Sequence, residues 1–148
     1  MRPDDPLVRT YLESSMVARV ATRTPKGRPA MTPLWFLARG GRLHLGTSQA
    51  SVVARNARAN PDVVVLLDLP GPARSSEHVL RLRGRATVRD GTPSLPVLLG
   101  LARKYYLAGW RSELAHARQW RLRNGYYAQA DGAVLEIEPL DAELLRQP

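Results

Sequence analysis

The sequence predicts an α+β fold, mainly β: an antiparallel barrel of six strands with helices at its ends. Three observations predict it. Six segments, most of them short, carry strand-type residues or strict alternation, and hairpin-type turns join several of them. Helical spacing is confined to three other stretches. No βαβα alternation, Gly-x-Gly-x-x-Gly run or phosphate-loop pattern occurs, which argues against the common parallel nucleotide-binding folds. At 148 residues, 44% hydrophobic and 24% charged, the chain has the size of one domain, 1–148, and a globular apolar content.

The elements follow in order. Asp4 to Ser14 reads as a short amphipathic helix, with Leu7, Val8, Tyr11 and Leu12 at helical spacing. Met16 to Arg23 is strand-like. Thr24-Pro25-Lys26-Gly27 is a turn, because Pro presets one backbone angle and Gly accepts a positive one. Arg28 to Ala38 is a second strand, and Gly40-Gly41 turns it into a third, Arg42 to Thr47. Ser48 to Asn60 is a short helix stopped by Pro61. Asp62 to Asp68 is a buried strand, and Leu69 to Glu77, rich in Pro, Gly and Ser, is a loop.

Val79 to Arg89 alternates cleanly. Leu80, Leu82, Gly84, Ala86 and Val88 point one way, and Arg81, Arg83, Arg85 and Arg89 form a basic stripe on the other face. Thr92 to Arg123 is helical in one or two pieces broken near Gly109-Trp110. Its Tyr105, Tyr106 and Trp110 belong to a core or to a dimer interface. Ala133 to Glu138 is the last strand, followed by a short polar tail.

Composition removes several chemistries. Without cysteine there are no disulfides, thiolate metal sites, iron–sulfur ligands or cysteine nucleophiles. His44, His78 and His116 lack metal-ligand spacing, so no metal is assigned. Apolar runs stay strand-sized, and the acidic N-terminus does not resemble a secretory signal, so a soluble cytoplasmic protein with no membrane partner is expected. The net charge of +9 raises the question of a polyanionic partner, all basic residues but Lys26 and Lys104 being arginine. A helix-turn-helix and an aromatic-bearing RNA-binding strand are both missing, and the reading is against nucleic acid.

Three segments, in order, then carry a resemblance. The first is Val20-Ala21-Thr22, Gly27-Arg28-Pro29 and Thr32-Pro33-Leu34-Trp35-Phe36. The second is Leu43-His44-Leu45-Gly46-Thr47, Ser51, Arg55-Asn56 and Asn60-Pro61. The third is Val79 to Val88 with a central Gly84. With them the chain resembles the pyridoxamine 5′-phosphate oxidase-like split β-barrel family, which includes FMN enzymes and deazaflavin (F420) oxidoreductases.

That resemblance implies a homodimer with a cofactor, F420 or FMN, in a groove between subunits. It implies that Thr32, Pro33, Leu34 and Trp35 lie against the ring system. Thr47, Ser48 and Ser51 would hold the phosphate, with Arg55 and Asn56 one turn further along. The family usually places basic residues just after Ser51, where this chain has Val52 and Val53, so Arg28, Arg55 and Arg85 are the candidate replacements. The Arg-x-His pattern of true pyridoxine-phosphate oxidases is absent, and that reaction is not assigned. The implied function is an oxidoreductase transferring hydride between the cofactor and a small organic substrate. F420 stands slightly ahead of FMN because its anionic tail suits the positive charge, and no side chain is assigned a catalytic role. The alternative is a non-enzymatic binder of a cofactor, heme or an anionic metabolite on the same fold.

Overall fold

A computed structural model describes residues 1–70, 78–107 and 131–146. The first element, α1 (Pro6–Ser14), starts where the Asp5 carboxylate accepts the Leu7 N–H at 2.9 Å, and it buries Val8, Tyr11 and Leu12. The strands are β1 (Ala18–Arg23), β2 (Pro29–Leu34), β3 (Leu37–Arg39), β4 (Arg42–Ser48), β5 (Asp62–Leu67), β6 (His78–Asp90) and β7 (Gly132–Arg146). Between β4 and β5 runs α2 (Val52–Ala59). After β6 comes α3 (Leu95–Ala102), whose last turn widens into a π-helical turn at Arg103–Leu107.

Every strand pair is antiparallel, in the order β2-β1-β5-β6-β7-β4-β3. The sheet curls until β2, at one edge, touches β4 near the other, giving a half-barrel. Val20, Leu43, Leu45, Val65, Leu67, Leu80, Leu82, Leu135 and Ile137 fill its inner face, and α1 and α2 add Val8, Leu12, Val53 and Ala57. Burying each large aliphatic side chain contributes about 1.5–3 kcal/mol. The β3–β4 hairpin turns through Gly40 and Gly41, both at positive φ (61° and 73°), as the Gly-Gly pair requires.

The α+β antiparallel fold agrees with the sequence, but the described residues form seven strands rather than six. The segment expected as one strand over 28–38 breaks at Trp35–Phe36 into β2 and β3. Side chains of the π turn take both backbone groups of Phe36. Its N–H donates to Tyr105 Oη at 3.0 Å, and its carbonyl accepts from Lys104 Nζ at 3.1 Å.

The last strand is 15 residues long, because the expected polar tail continues it, Pro139 to Arg146 pairing with His78 to Gly84 of β6. Its alternation was hidden by an extra residue. The register shifts between Arg83 and Gly84, Leu140 is left unpaired, and the inward set changes from Leu135 and Ile137 to Ala142 and Leu144. Gly84 stands at this irregularity because a Cβ there would lie 2.8 Å from both the Glu138 carbonyl oxygen and Ile137 Cγ2.

The expected loop over 69–77 lies mostly outside the described residues, as do Trp110, His116 and the rest of the expected helix beyond 107. No helix among the described residues is long and apolar enough to cross a membrane.

Candidate functional site

The turn from Thr47 to Ser51 joins β4 to α2. Ser51 caps the helix, its Oγ accepting the Ala54 N–H at 3.2 Å. Three N–H groups of the turn are already used: Gln49 donates to the Asp131 carbonyl, Ala50 to Ser48 Oγ, and Ser51 to the Ser48 carbonyl. The first intrahelical bond runs from the Arg55 N–H to the Ser51 carbonyl, so the Val52 and Val53 N–H groups precede it. With the Ser48 and Ser51 hydroxyls they form a small donor set at the positive end of the helix dipole. Thr47 is buried beneath the turn, 5% exposed.

Arg55 is exposed one helical turn from Ser51 and forms no ion pair among the described residues. Val52 is exposed, whereas Val53 is 0% exposed and belongs to the core. A cation at 53 would have been buried in apolar surroundings, so only position 52 lacks a usable charge.

β2, the strand bearing Thr32, Pro33 and Leu34, touches both α2 and β4, the two elements that the turn joins. Thr32 and Leu34 are half-buried, and Pro33 faces outward with Met31. Trp35 follows the strand, and its indole stacks on Tyr105, ring centroids 4.1 Å apart, with Tyr106 edge-on at 5.9 Å.

The remaining candidates lie apart from this group. Arg28 sits in the Thr24 turn, its N–H donating to Thr24 Oγ1 at 3.0 Å. That turn is tied to the C-terminal end of α2 by Asn60, so Arg28 is a helix length, roughly 12 Å, from Ser51. Arg85 lies on the outer face of the sheet between Asp62 of β5 and Glu138 of β7. Asn56 is 4% exposed and donates to Thr22 Oγ1 at 3.1 Å, so its amide points into the fold. Of the three arginines offered as replacements, the structure brings only Arg55 to the turn.

Arg58 was missed. Its guanidinium reaches back to the Gln49 carbonyl at 3.4 Å and pairs with Asp90. The signal was its place three residues after Arg55, on the same helical side.

The arginine stripe of β6 has a matching acidic stripe. Arg81 stands opposite Glu143 and pairs with it, Arg83 opposite Asp141, and Arg85 opposite Glu138. Three of the four arginines of the stripe therefore face an acid on β7, and the fourth, Arg89, stands opposite Val134. No cluster of three or more metal-ligating side chains occurs among the described residues. His44 is engaged through both ring nitrogens, by the Arg39 carbonyl at 3.2 Å and Glu136 at 3.5 Å.

A half-barrel with a helix-start turn beside an edge strand defines a class of small split-barrel proteins. The sequence profile described as pyridoxamine 5′-phosphate oxidase matches residues 5–145, and the chain belongs to that family. A comparison with curated proteins finds no match.

Among solved structures, an F420 reductase is 19% identical with a TM-score of 0.58, over 91% of this chain and 94% of that one. A putative pyridoxamine 5′-phosphate oxidase from Listeria innocua is 17% identical with a TM-score of 0.60, over 95% and 97%. The heme storage protein HutZ from Vibrio cholerae is 17% identical with a TM-score of 0.64, over 99% and 95%. At such identities the likeness is one of fold.

Proposed function

We propose that the chain is a flavin-type oxidoreductase that binds F420, or less favourably FMN, and works as a homodimer. The observation that supports this reading is the contact of β2, which carries Thr32, Pro33 and Leu34, with α2 and β4, the two elements that the Thr47–Ser51 turn joins. A phosphate would be held by the Ser48 and Ser51 hydroxyls, the Val52 and Val53 N–H groups and Arg55. The donors fit one phosphate with a single guanidinium, fewer charges than the family usually supplies. A ring system would lie along Thr32, Pro33 and Leu34, bounded by Trp35. When bound, the cofactor supplies hydride transfer, and these residues supply position and electrostatics.

The dimer would form on the outer sheet face, where Met31 (54% exposed) and Leu140 (58% exposed) are apolar. The adjacent basic and acidic stripes of β6 and β7 are self-complementary under a two-fold rotation.

The test is titration of purified protein with F420 and, separately, FMN, followed by fluorescence quenching. Saturable F420 binding that weakens roughly tenfold in Arg55→Ala, the size of one charge-assisted contact, supports the reading. Binding of neither cofactor defeats it. One observation favours a second reading: exposed Val52 makes the helix start partly apolar, which suits a non-enzymatic binder of heme or another ligand not anchored by phosphate. Heme titration separates the two.

A further inference from the structure

A cleft of about 900 Å³ opens between α1, β3 and α3, within the size range of small-ligand sites. It lies beside β3, which pairs with the Arg42–His44 end of β4; the turn described above follows the other end, at Ser48. On the helix side it is lined by Pro96, Gly100, Arg103 and Lys104, whose spacing puts them along one side of α3 and its π turn. Gly100 lets the helix close onto β3, since a Cβ there would overlap the Leu37 side chain. Leu12, Met16 and Leu37 supply apolar wall.

The charges around the cleft are unbalanced. Arg39, Arg103 and Lys104 line it against the single carboxylate of Glu13, and none of the four forms an ion pair among the described residues. Lys104 is half-buried. One of its three donors goes to the Phe36 carbonyl, and its ammonium lies 3.5 Å from the centre of the Phe36 ring. A cation withdrawn from water with no counter-ion is costly, and a carboxylate arriving in the cleft would relieve that cost.

We propose that this cleft binds an amphipathic organic carboxylate. Its acid head sits among Lys104, Arg39 and Arg103, and its apolar body lies along Leu12, Met16 and Leu37. A small inorganic anion would leave the apolar wall wet, and a neutral apolar molecule would leave the cations uncompensated. The proposal does not depend on a cofactor at the Thr47–Ser51 turn.

The experiment is titration of octanoate into the full chain by calorimetry, with backbone amide NMR to locate the site and octanol as the control. We expect saturable octanoate binding that shifts the amides of residues 37–39 and 100–104, with octanol at least tenfold weaker. Lys104→Met and Arg103→Glu should each weaken octanoate roughly tenfold, the size of one charge-assisted hydrogen bond. Arg103 is exposed, so Arg103→Glu carries the test if Lys104→Met fails to fold. No saturation at millimolar octanoate, octanol binding as well as octanoate, or undiminished binding in Arg103→Glu would each overturn the proposal. F420 and FMN titrations of the same protein report separately on the other site.

Discussion

Tyr105 lies flat on Trp35, the two ring planes 1° from parallel, and its hydroxyl accepts the N–H of the next residue, Phe36. The same hydroxyl donates to the Met16 carbonyl at 2.7 Å, so one side chain of the π turn ties together three segments. It ends β2, turns the chain into β3 and fixes the indole where a cofactor ring is proposed to meet the protein. Tyr105→Phe keeps the stack and removes these bonds. The Phe36 N–H then loses its acceptor, and denaturant unfolding should show a loss of about 1–3 kcal/mol. An unchanged midpoint would mean that water replaces the hydroxyl at no cost.

Lys104 gives stability a distinctive pH dependence. Burial lowers its pKa to about 8 from 10.5. Below pH 8 both folded and unfolded chains carry the charge. Between 8 and 10.5 the unfolded chain holds a proton that the folded chain has released, so stability rises with pH through this window. Tyr11 acts the other way. Burial, and then the charge of Asp68, raises its phenol above 10.0, so its contribution is lost as pH rises beyond that value. Thermal melts from pH 7 to 10 should show a rise that flattens in Lys104→Met; an equal rise in that variant would place the titrating group elsewhere.

Gly84→Ala should be strongly destabilising. The added methyl meets the Glu138 carbonyl oxygen at 2.8 Å, and that atom belongs to the backbone of the partner strand and cannot rotate aside. Overpacking of this kind costs about 1–3 kcal/mol, read as a lower urea midpoint at unchanged slope. Gly100→Ala is the control, because its added methyl meets the flexible end of Leu37 and the cost should be smaller.

Asn56 and Arg55 are neighbours with different expected roles. Asn56→Ala leaves Thr22 Oγ1 without its buried donor and should lower stability by about 1–3 kcal/mol, with little effect on cofactor affinity once folded. Arg55→Ala should leave the melting temperature within about 2 °C, as an exposed substitution does, and weaken cofactor binding instead. Reversed outcomes would exchange their roles.

Much of this fold was legible in local pattern. Alternation over 79–89 gave β6 and its two faces, and Gly40-Gly41 gave the β3–β4 hairpin; α2 was read from Ser48, three residues before its Ser51 cap, and Ser48 itself ends β4. β7 was read too short because Pro139 has no N–H and the Leu140 bulge reverses the phase of burial halfway along. The break at Trp35–Phe36 was invisible, because the groups that cause it lie 69 residues away in the chain. At the candidate site, the sequence named the turn and Arg55, but it grouped Arg28 and Arg85 with them by charge alone.

The sequence by itself determined the antiparallel α+β class, the family and the helix-start turn, since these depend on side-chain periodicity, turn residues and ordered short motifs. Only the tertiary structure decided which arginines meet that turn and that Val53 belongs to the core. It also set the β6 stripe beside an acidic one and placed Lys104 on the wall of a cleft with no counter-ion among the described residues. Those outcomes depend on strand register and on contacts between distant segments, which fix distance and burial, and neither quantity is written in local sequence.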